Sequence, residues 1–168
     1  MARLRIAGVL ILAGCAAACG EDQAAARDCQ SPPSAQRQVE ACTQVIADRP
    51  KSAQAYNNRC QAYNQLEQPG KALADCNDAI RLEPRNASAY NNRGWAREIG
   101  KEYDLALKDY DKAIQIDPKF AIAFANRGDV YATKGDRARA ILEYRQALEL
   151  EPGNGVALGG LQRLGARP

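Results

Sequence analysis

Few side chains in this 168-residue sequence could carry covalent or metal chemistry. Six are cysteines, at positions 15, 19, 29, 42, 60 and 76, and histidine is absent. Without an imidazole there is no Ser-His-Asp or Cys-His nucleophile system, and no zinc site of the kind that needs one. No two cysteines form a CxxC pair, so zinc-ribbon and thioredoxin-like readings have no support. No glycine-rich phosphate loop follows a strand, and no acidic cluster recurs. The residues therefore indicate neither an enzyme nor a cofactor. The formal charge of +3 is small and its basic residues are interleaved with acids, which argues against nucleic acid as a partner.

The first cysteine belongs to an address. Arg3 and Arg5 precede an uncharged run, Ile6 to Ala13, that is too short for a bilayer needing about 20 apolar residues. Length and flanks fit a secretory signal peptide over 1–14, which is set aside from fold reasoning. Leu12-Ala13-Gly14-Cys15 resembles the lipobox of bacterial lipoproteins, in which the cysteine is diacylated and becomes the mature N-terminus. That resemblance implies a membrane anchor at Cys15. With Ala16 rather than aspartate following, it also implies an outer-membrane lipoprotein facing the periplasm. Acylation at Cys19, or plain cleavage giving a soluble periplasmic protein, are the alternatives.

The elements that must position everything else repeat with a fixed period. Pro50, Pro84, Pro118 and Pro152 mark it, each separated from the next by the same interval. Tyr56, Tyr90 and Phe124 recur in phase, as do Arg59, Arg93 and Arg127, and the pairs Ala72/Ala79, Ala106/Ala113 and Ala140/Ala147. Alanine is the commonest residue type, a composition suited to closely crossing helices. Each proline stops one helix and forces an extended lead into the next. Gly70, Gly100 and Gly135 are expected to divide each unit in two. The pattern resembles the tetratricopeptide repeat. The third unit matches it through Phe124, Gly128, Tyr131, Ala140, Tyr144, Ala147 and Pro152. The second matches through Tyr90, Gly94, Ala106, Tyr110, Ala113 and Pro118, and the first through Tyr56, Tyr63, Ala72, Ala79 and Pro84. The resemblance implies an all-α, right-handed solenoid of helix pairs. Three repeats occupy 50–152 (about 53–86, 87–120 and 121–154), preceded by a lipidated tether and lead-in loop over 15–33 and a degenerate leading helix over 34–49. Residues 155–168 form a capping helix and tail. Val39, Cys42 and Ile46 are expected to face inward from the leading helix.

Three departures from the repeat pattern matter. Arg59, Arg93 and Arg127 stand where leucine is usual, and Asp75, Asp109 and Glu143 follow them at a constant offset that suggests a ladder of ion pairs within repeats. Cys60 and Cys76 replace the pairs Gly94/Tyr110 and Gly128/Tyr144 together, on the two helices of one hairpin. A disulfide needs such paired departure, and Cys29–Cys42 would then tie the lead-in loop to the leading helix. Buried free thiols are the alternative. Finally, Asn58, Asn92 and Asn126 recur immediately before the arginines.

In tetratricopeptide proteins the first helices build a concave face that holds a peptide or protein. Here its positions are Gln54, Asn57, Asn58, Gln61 and Asn64; Ser88, Asn91, Asn92, Trp95 and Glu98; and Ile122, Ala125, Asn126, Asp129 and Ala132. The asparagine row resembles the ladder in the tetratricopeptide superhelix of O-GlcNAc transferase, which grips a substrate main chain. Trp95 would be the anchor. Of the carboxylate clamp of chaperone-binding members only Asn92 is matched, because Asn57, Ile122 and Asn126 stand where cations belong. The expectation is a non-catalytic adaptor of the bacterial envelope that binds a peptide or protein through Asn57, Asn58, Gln61, Asn91, Asn92, Trp95, Asn126 and Asp129. A structural lipoprotein packed permanently through its convex face is the other reading.

Overall fold

A computed structural model describes residues 23–168; the proposed signal peptide, Cys15 and Cys19 lie outside the described residues. Among them the chain is helical throughout, with α1 over residues 23–30, α2 (Ala35–Asp48), α3 (Ala53–Gln65), α4 (Pro69–Leu82), α5 (Ala87–Ile99), α6 (Tyr103–Ile116), α7 (Ala121–Thr133), α8 (Arg137–Leu150) and α9 (Gly155–Arg163). Three hairpins, α3/α4, α5/α6 and α7/α8, stack in sequence as a right-handed solenoid, with α3, α5, α7 and α9 in a row on the inner side.

Local chemistry sets the boundaries. The side chains of Ser34, Ser52, Asn86, Asp136 and Asn154 each cap the helix they precede by accepting from a backbone N–H in its first turn. Pro69 opens α4, where a missing N–H costs nothing. The turn inside each repeat is made by Glu67, Lys101 and Gly135, equivalent positions of successive repeats, with φ of 53°, 61° and 81°. Only the third is the glycine that this left-handed conformation favours. Gly70 instead lies in the first turn of α4, and Gly100 ends α5 with φ −72°, so neither makes the turn its spacing suggests. Stacking of the hairpins imposes the geometry on a glutamate and a lysine.

The core is small side chains in phase. Ala72, Ala79, Ala106, Ala113, Ala140 and Ala147 are fully buried. At Gly94 an added Cβ would lie 2.7 Å from the Tyr110 ring, and at Gly128 2.8 Å from that of Tyr144. Each glycine is therefore the floor on which a tyrosine of the outer helix rests. In the first repeat the same place holds the Cys60–Cys76 disulfide, with Cα atoms 5.5 Å apart.

The amino-terminal end differs from the sequence expectation. Residues 23–30 are helical rather than a loop, as the run Ala24-Ala25-Ala26 favours, and Pro32 and Pro33 follow the helix. This α1 is the inner partner of α2, and the Cys29–Cys42 disulfide joins them with Cα atoms 4.7 Å apart. The buried face of α2 is Gln38, Ala41, Cys42 and Val45, while Val39 and Ile46 are only half-buried at its edges. The polar Gln38 is accommodated because its amide donates to the Cys29 carbonyl at 3.1 Å.

Candidate functional site

Each repeat arginine is a clamp between outer helices. Arg59 donates from Nε and Nη2 to the two oxygens of Asp75 at 2.7 and 2.8 Å, and from Nη1 to Thr43 Oγ1 at 3.0 Å. Arg93 treats Asp109 and Asn77 the same way, and Arg127 reaches Glu143 and Asp111. The ladder thus runs within repeats and also back to the preceding one. Hydrogen bonding to Asp75 holds the Arg59 guanidinium pKa above its ordinary value, against the opposing effect of burial. Glutamate at 143 is one methylene longer than aspartate. Both its oxygens meet Nη2, and the buried Nε of Arg127 is left without a partner. Each guanidinium also lies 5.3–5.8 Å from the ring centroid of Tyr56, Tyr90 or Phe124. Each guanidinium is already paired with a carboxylate, so the row does not present open cations to an anion.

With the arginines committed outward, the inner helices face a groove of about 520 Å³. Its wall is built from rows at the repeat spacing. One row is Gln54, Ser88, Ile122 and Val156; a second is Asn58, Asn92 and Asn126, flanked by Asn57 and Asn91; a third contributes Gln61 and Trp95. Gln65 and Phe120 complete it, and no lysine, arginine, aspartate or glutamate is in the lining.

The asparagines are bonded across repeats rather than standing free. Asn92 Nδ2 donates to Asn57 Oδ1 at 3.0 Å, and Asn126 Nδ2 to Asn91 Oδ1 at 3.1 Å. Asn58 is used up, donating to the Cys29 carbonyl at 3.0 Å and accepting from Gln54 at 2.8 Å. Each inter-repeat pair spends one edge of each amide. Among the described residues Asn57 Nδ2 and Asn91 Nδ2 have no acceptor, and Asn92 Oδ1 and Asn126 Oδ1 have no donor, yet none of the four is sealed from solvent. Two donors and two acceptors are thus left without a protein partner, on residues of which Asn57, Asn91 and Asn92 are only 5, 5 and 8% exposed.

Three inner-helix positions are turned elsewhere. Asn64 is 1% exposed and donates to the Asn92 carbonyl at 2.7 Å, leaving its Oδ1 buried without a partner. Glu98 accepts from the Tyr110 hydroxyl at 2.8 Å. Asp129 accepts from Tyr144 at 2.7 Å and from Arg163 at 2.7 Å, which draws it out of the groove. Burial pushes Glu98 up to about 7; the Tyr110 hydrogen bond opposes this and the charge of Asp129 adds to it. Burial likewise raises Asp129, against its bonds to Tyr144 and Arg163. Of the sequence-selected residues, the structure brings Asn57, Asn58, Gln61, Asn91, Asn92, Trp95 and Asn126 into one groove and leaves Asp129 outside it. Phe120, Val156 and Gln65 are additions. Val156 was signalled by its place one repeat period after Ile122, on a segment read only as a cap. Phe120 sits at the N-cap of α7, where inner-helix periodicity does not reach. Among the described residues, no cluster of acids and cysteines is placed to hold a metal, and no helix is long and apolar enough to cross a membrane.

Stacked helix hairpins with a common inner groove define a repeat scaffold rather than an enzyme. The tetratricopeptide repeat model matches residues 53–86, 87–120 and 121–154. The chain belongs to the tetratricopeptide repeat family, whose members are non-catalytic interaction scaffolds. The Arabidopsis OM64 TPR domain is 30% identical, with a TM-score of 0.63 over 67% of this chain and 93% of that one. The second TPR domain of human RPAP3, solved in complex with the HSP70 peptide SGPTIEEVD, is 27% identical with a TM-score of 0.59, over 67% and 93%. A crystal structure of MamA is 20% identical with a TM-score of 0.66, covering 82% of this chain and 80% of its own, and shows likeness of fold. No curated protein matches the sequence.

Proposed function

We propose that this protein is a peptide-binding adaptor that holds an extended segment of a partner protein in its inner groove. The observation that carries the reading is the pair of inter-repeat amide bonds, Asn57–Asn92 and Asn91–Asn126. Each leaves one donor and one acceptor without a protein partner, on residues that line a groove large enough for a chain segment. A peptide backbone offers the complementary C=O and N–H at every residue. The RPAP3 domain supports a peptide ligand in general, but its bound peptide ends in acids. This groove has no cation to meet them, which disfavours an acidic chaperone tail as the ligand. We further propose that the adaptor works in a bacterial envelope, anchored to the outer membrane through acylated Cys15 and facing the periplasm. The lipobox-like Leu12-Ala13-Gly14-Cys15 and the two disulfides support this, since disulfides persist in oxidising compartments.

Replacing Asn58, Asn92 and Asn126 with alanine would not isolate binding, because their amides hold neighbouring repeats together. Asn57→Asp with Asn91→Asp is the cleaner test. It keeps the oxygens that Asn92 and Asn126 need, removes the two remaining donors, and adds a carboxylate at each of two positions that are only 5% exposed. Partner capture from envelope extracts should fall at least tenfold, measured at a temperature where circular dichroism shows the variant to be fully folded. Undiminished capture would move binding to the convex face. For the anchor, Cys15→Ser should abolish labelling with a fatty-acid analogue, and persistent labelling would refute acylation at that residue.

A further inference from the structure

The groove's rows change character along the chain in a way that names the kind of segment it fits. Gln54 and Ser88 give way to Ile122 and Val156 in one row, and Gln61 gives way to Trp95 in another. Phe120 adds an aromatic wall beside Ile122. The last two members of the Trp95 row, Asp129 and Arg163, are bonded to each other at 2.7 Å and so present a neutralised pair rather than an open charge beyond the groove. The amino-terminal end of the groove is thus amide and hydroxyl, and its carboxy-terminal end, from Trp95 of the second repeat to Val156 of α9, is indole, aliphatic and phenyl. A charged side chain entering this lining would lose water and find no counter-charge, whereas an apolar one gains at the carboxy-terminal end only.

We infer that the groove selects a segment uncharged over the stretch it covers, with polar residues against Gln54, Gln61 and Ser88 and one large apolar side chain seated among Trp95, Ile122, Val156 and Phe120. This rests on the peptide-binding reading above and adds side-chain chemistry and a register to it. Main-chain pairing through Asn57, Asn91, Asn92 and Asn126 tolerates any sequence. The apolar seat at one end is what sets register.

Selection from a random nonapeptide library on the full-length protein, followed by fluorescence anisotropy of the enriched peptides, tests both layers. The enriched pool should be depleted in Asp, Glu, Lys and Arg and should carry an aliphatic or aromatic residue at one constant position. Changing that residue to serine should weaken binding at least tenfold. The Ile122→Ser/Val156→Ser protein, which copies Ser88 at two later rungs, should bind the parent peptides at least tenfold more weakly and be nearly indifferent to the peptide's serine change. Peptides that bind and lose affinity on Asn57→Asp/Asn91→Asp, yet show no coupling to Ile122 and Val156 or end in acids, would overturn the apolar seat while leaving the peptide reading intact. Failure of the wild-type protein to enrich any peptide sensitive to the Asn57 and Asn91 changes would overturn both.

Discussion

The amino-terminal and carboxy-terminal halves of the array solve one packing problem by different chemistry. Positions 42, 76, 110 and 144 are successive copies of one outer-helix site, filled by Cys, Cys, Tyr and Tyr. In the carboxy-terminal half a phenol ring lies on a glycine, and its hydroxyl finds Glu98 or Asp129. In the amino-terminal half the ring is gone and a covalent bond closes each hairpin: Cys60, at the glycine position, meets Cys76, and Cys29, one helical turn past the matching Ala26, meets Cys42. Volume and a hydrogen bond on one side are exchanged for a cross-link on the other. The glycine and tyrosine had to change together. A Cβ at the glycine would strike the ring, and a lone cysteine at the tyrosine site would leave a cavity.

The comparison can be tested where the two halves are least alike. Asp75 depends on Arg59 alone, whereas Asp109 is held by Arg93 and also by Arg97 at 2.7 Å. Arg59→Met should therefore strand a buried carboxylate at a cost of about 3–4 kcal/mol, and Arg93→Met should cost less than half as much, by urea titration. Equal losses would show that the second arginine contributes nothing.

Removing the staple with Cys60→Ala/Cys76→Ala should cost about 3 kcal/mol, the chain-entropy value for a loop of this size. Cys60→Gly/Cys76→Tyr should recover most of it under reducing conditions. It restores the ring on its glycine and directs a hydroxyl toward Asn64, the counterpart of Glu98, whose buried Oδ1 lacks a donor. A double variant no more stable than the alanine pair would mean that the two devices are not equivalent.

The smallest effect concerns pH and only the carboxy-terminal half. Glu98 has a raised pKa of about 7, so the stability gained by protonating it is fully present below its unfolded value near 4.5 and is lost as pH rises through about 7. Its partial contact with solvent limits the effect to about 1 kcal/mol between pH 5 and pH 8. Glu98→Gln should flatten that dependence in thermal melts, and an unchanged slope would assign it to another group.

Much of this architecture was legible because it obeys a clock. The constant recurrence of Pro84, Tyr90, Arg93 and their copies located the hairpins and the ion-pair ladder. The joint departure at Cys60 and Cys76 pointed to the pairing that the structure contains. The use of the asparagines was not legible. Asn92 meets Asn57 and not Asn58 because of how far one inner helix is rotated on the next, a quantity no single-chain spacing records. Glu98 and Asp129 were lost to the groove for a related reason, since tyrosine hydroxyls from the outer helices reach through and claim them. The helix over 23–30 was obscured by a composition of alanine and proline that serves a tether as well.

Both disulfides join cysteines that are neighbours in the order of the chain, separated by 13 and 16 residues. Four thiols can pair in three ways, and the other two would bind different hairpins together. A chain emerging amino-terminus first offers Cys29 and Cys42 to an oxidant before Cys60 is free, and then Cys60 with Cys76. Each native bond is the one available when its second thiol arrives. Among the four described thiols, pairing in the order of synthesis therefore reaches the connectivity of the fold without a reshuffling step.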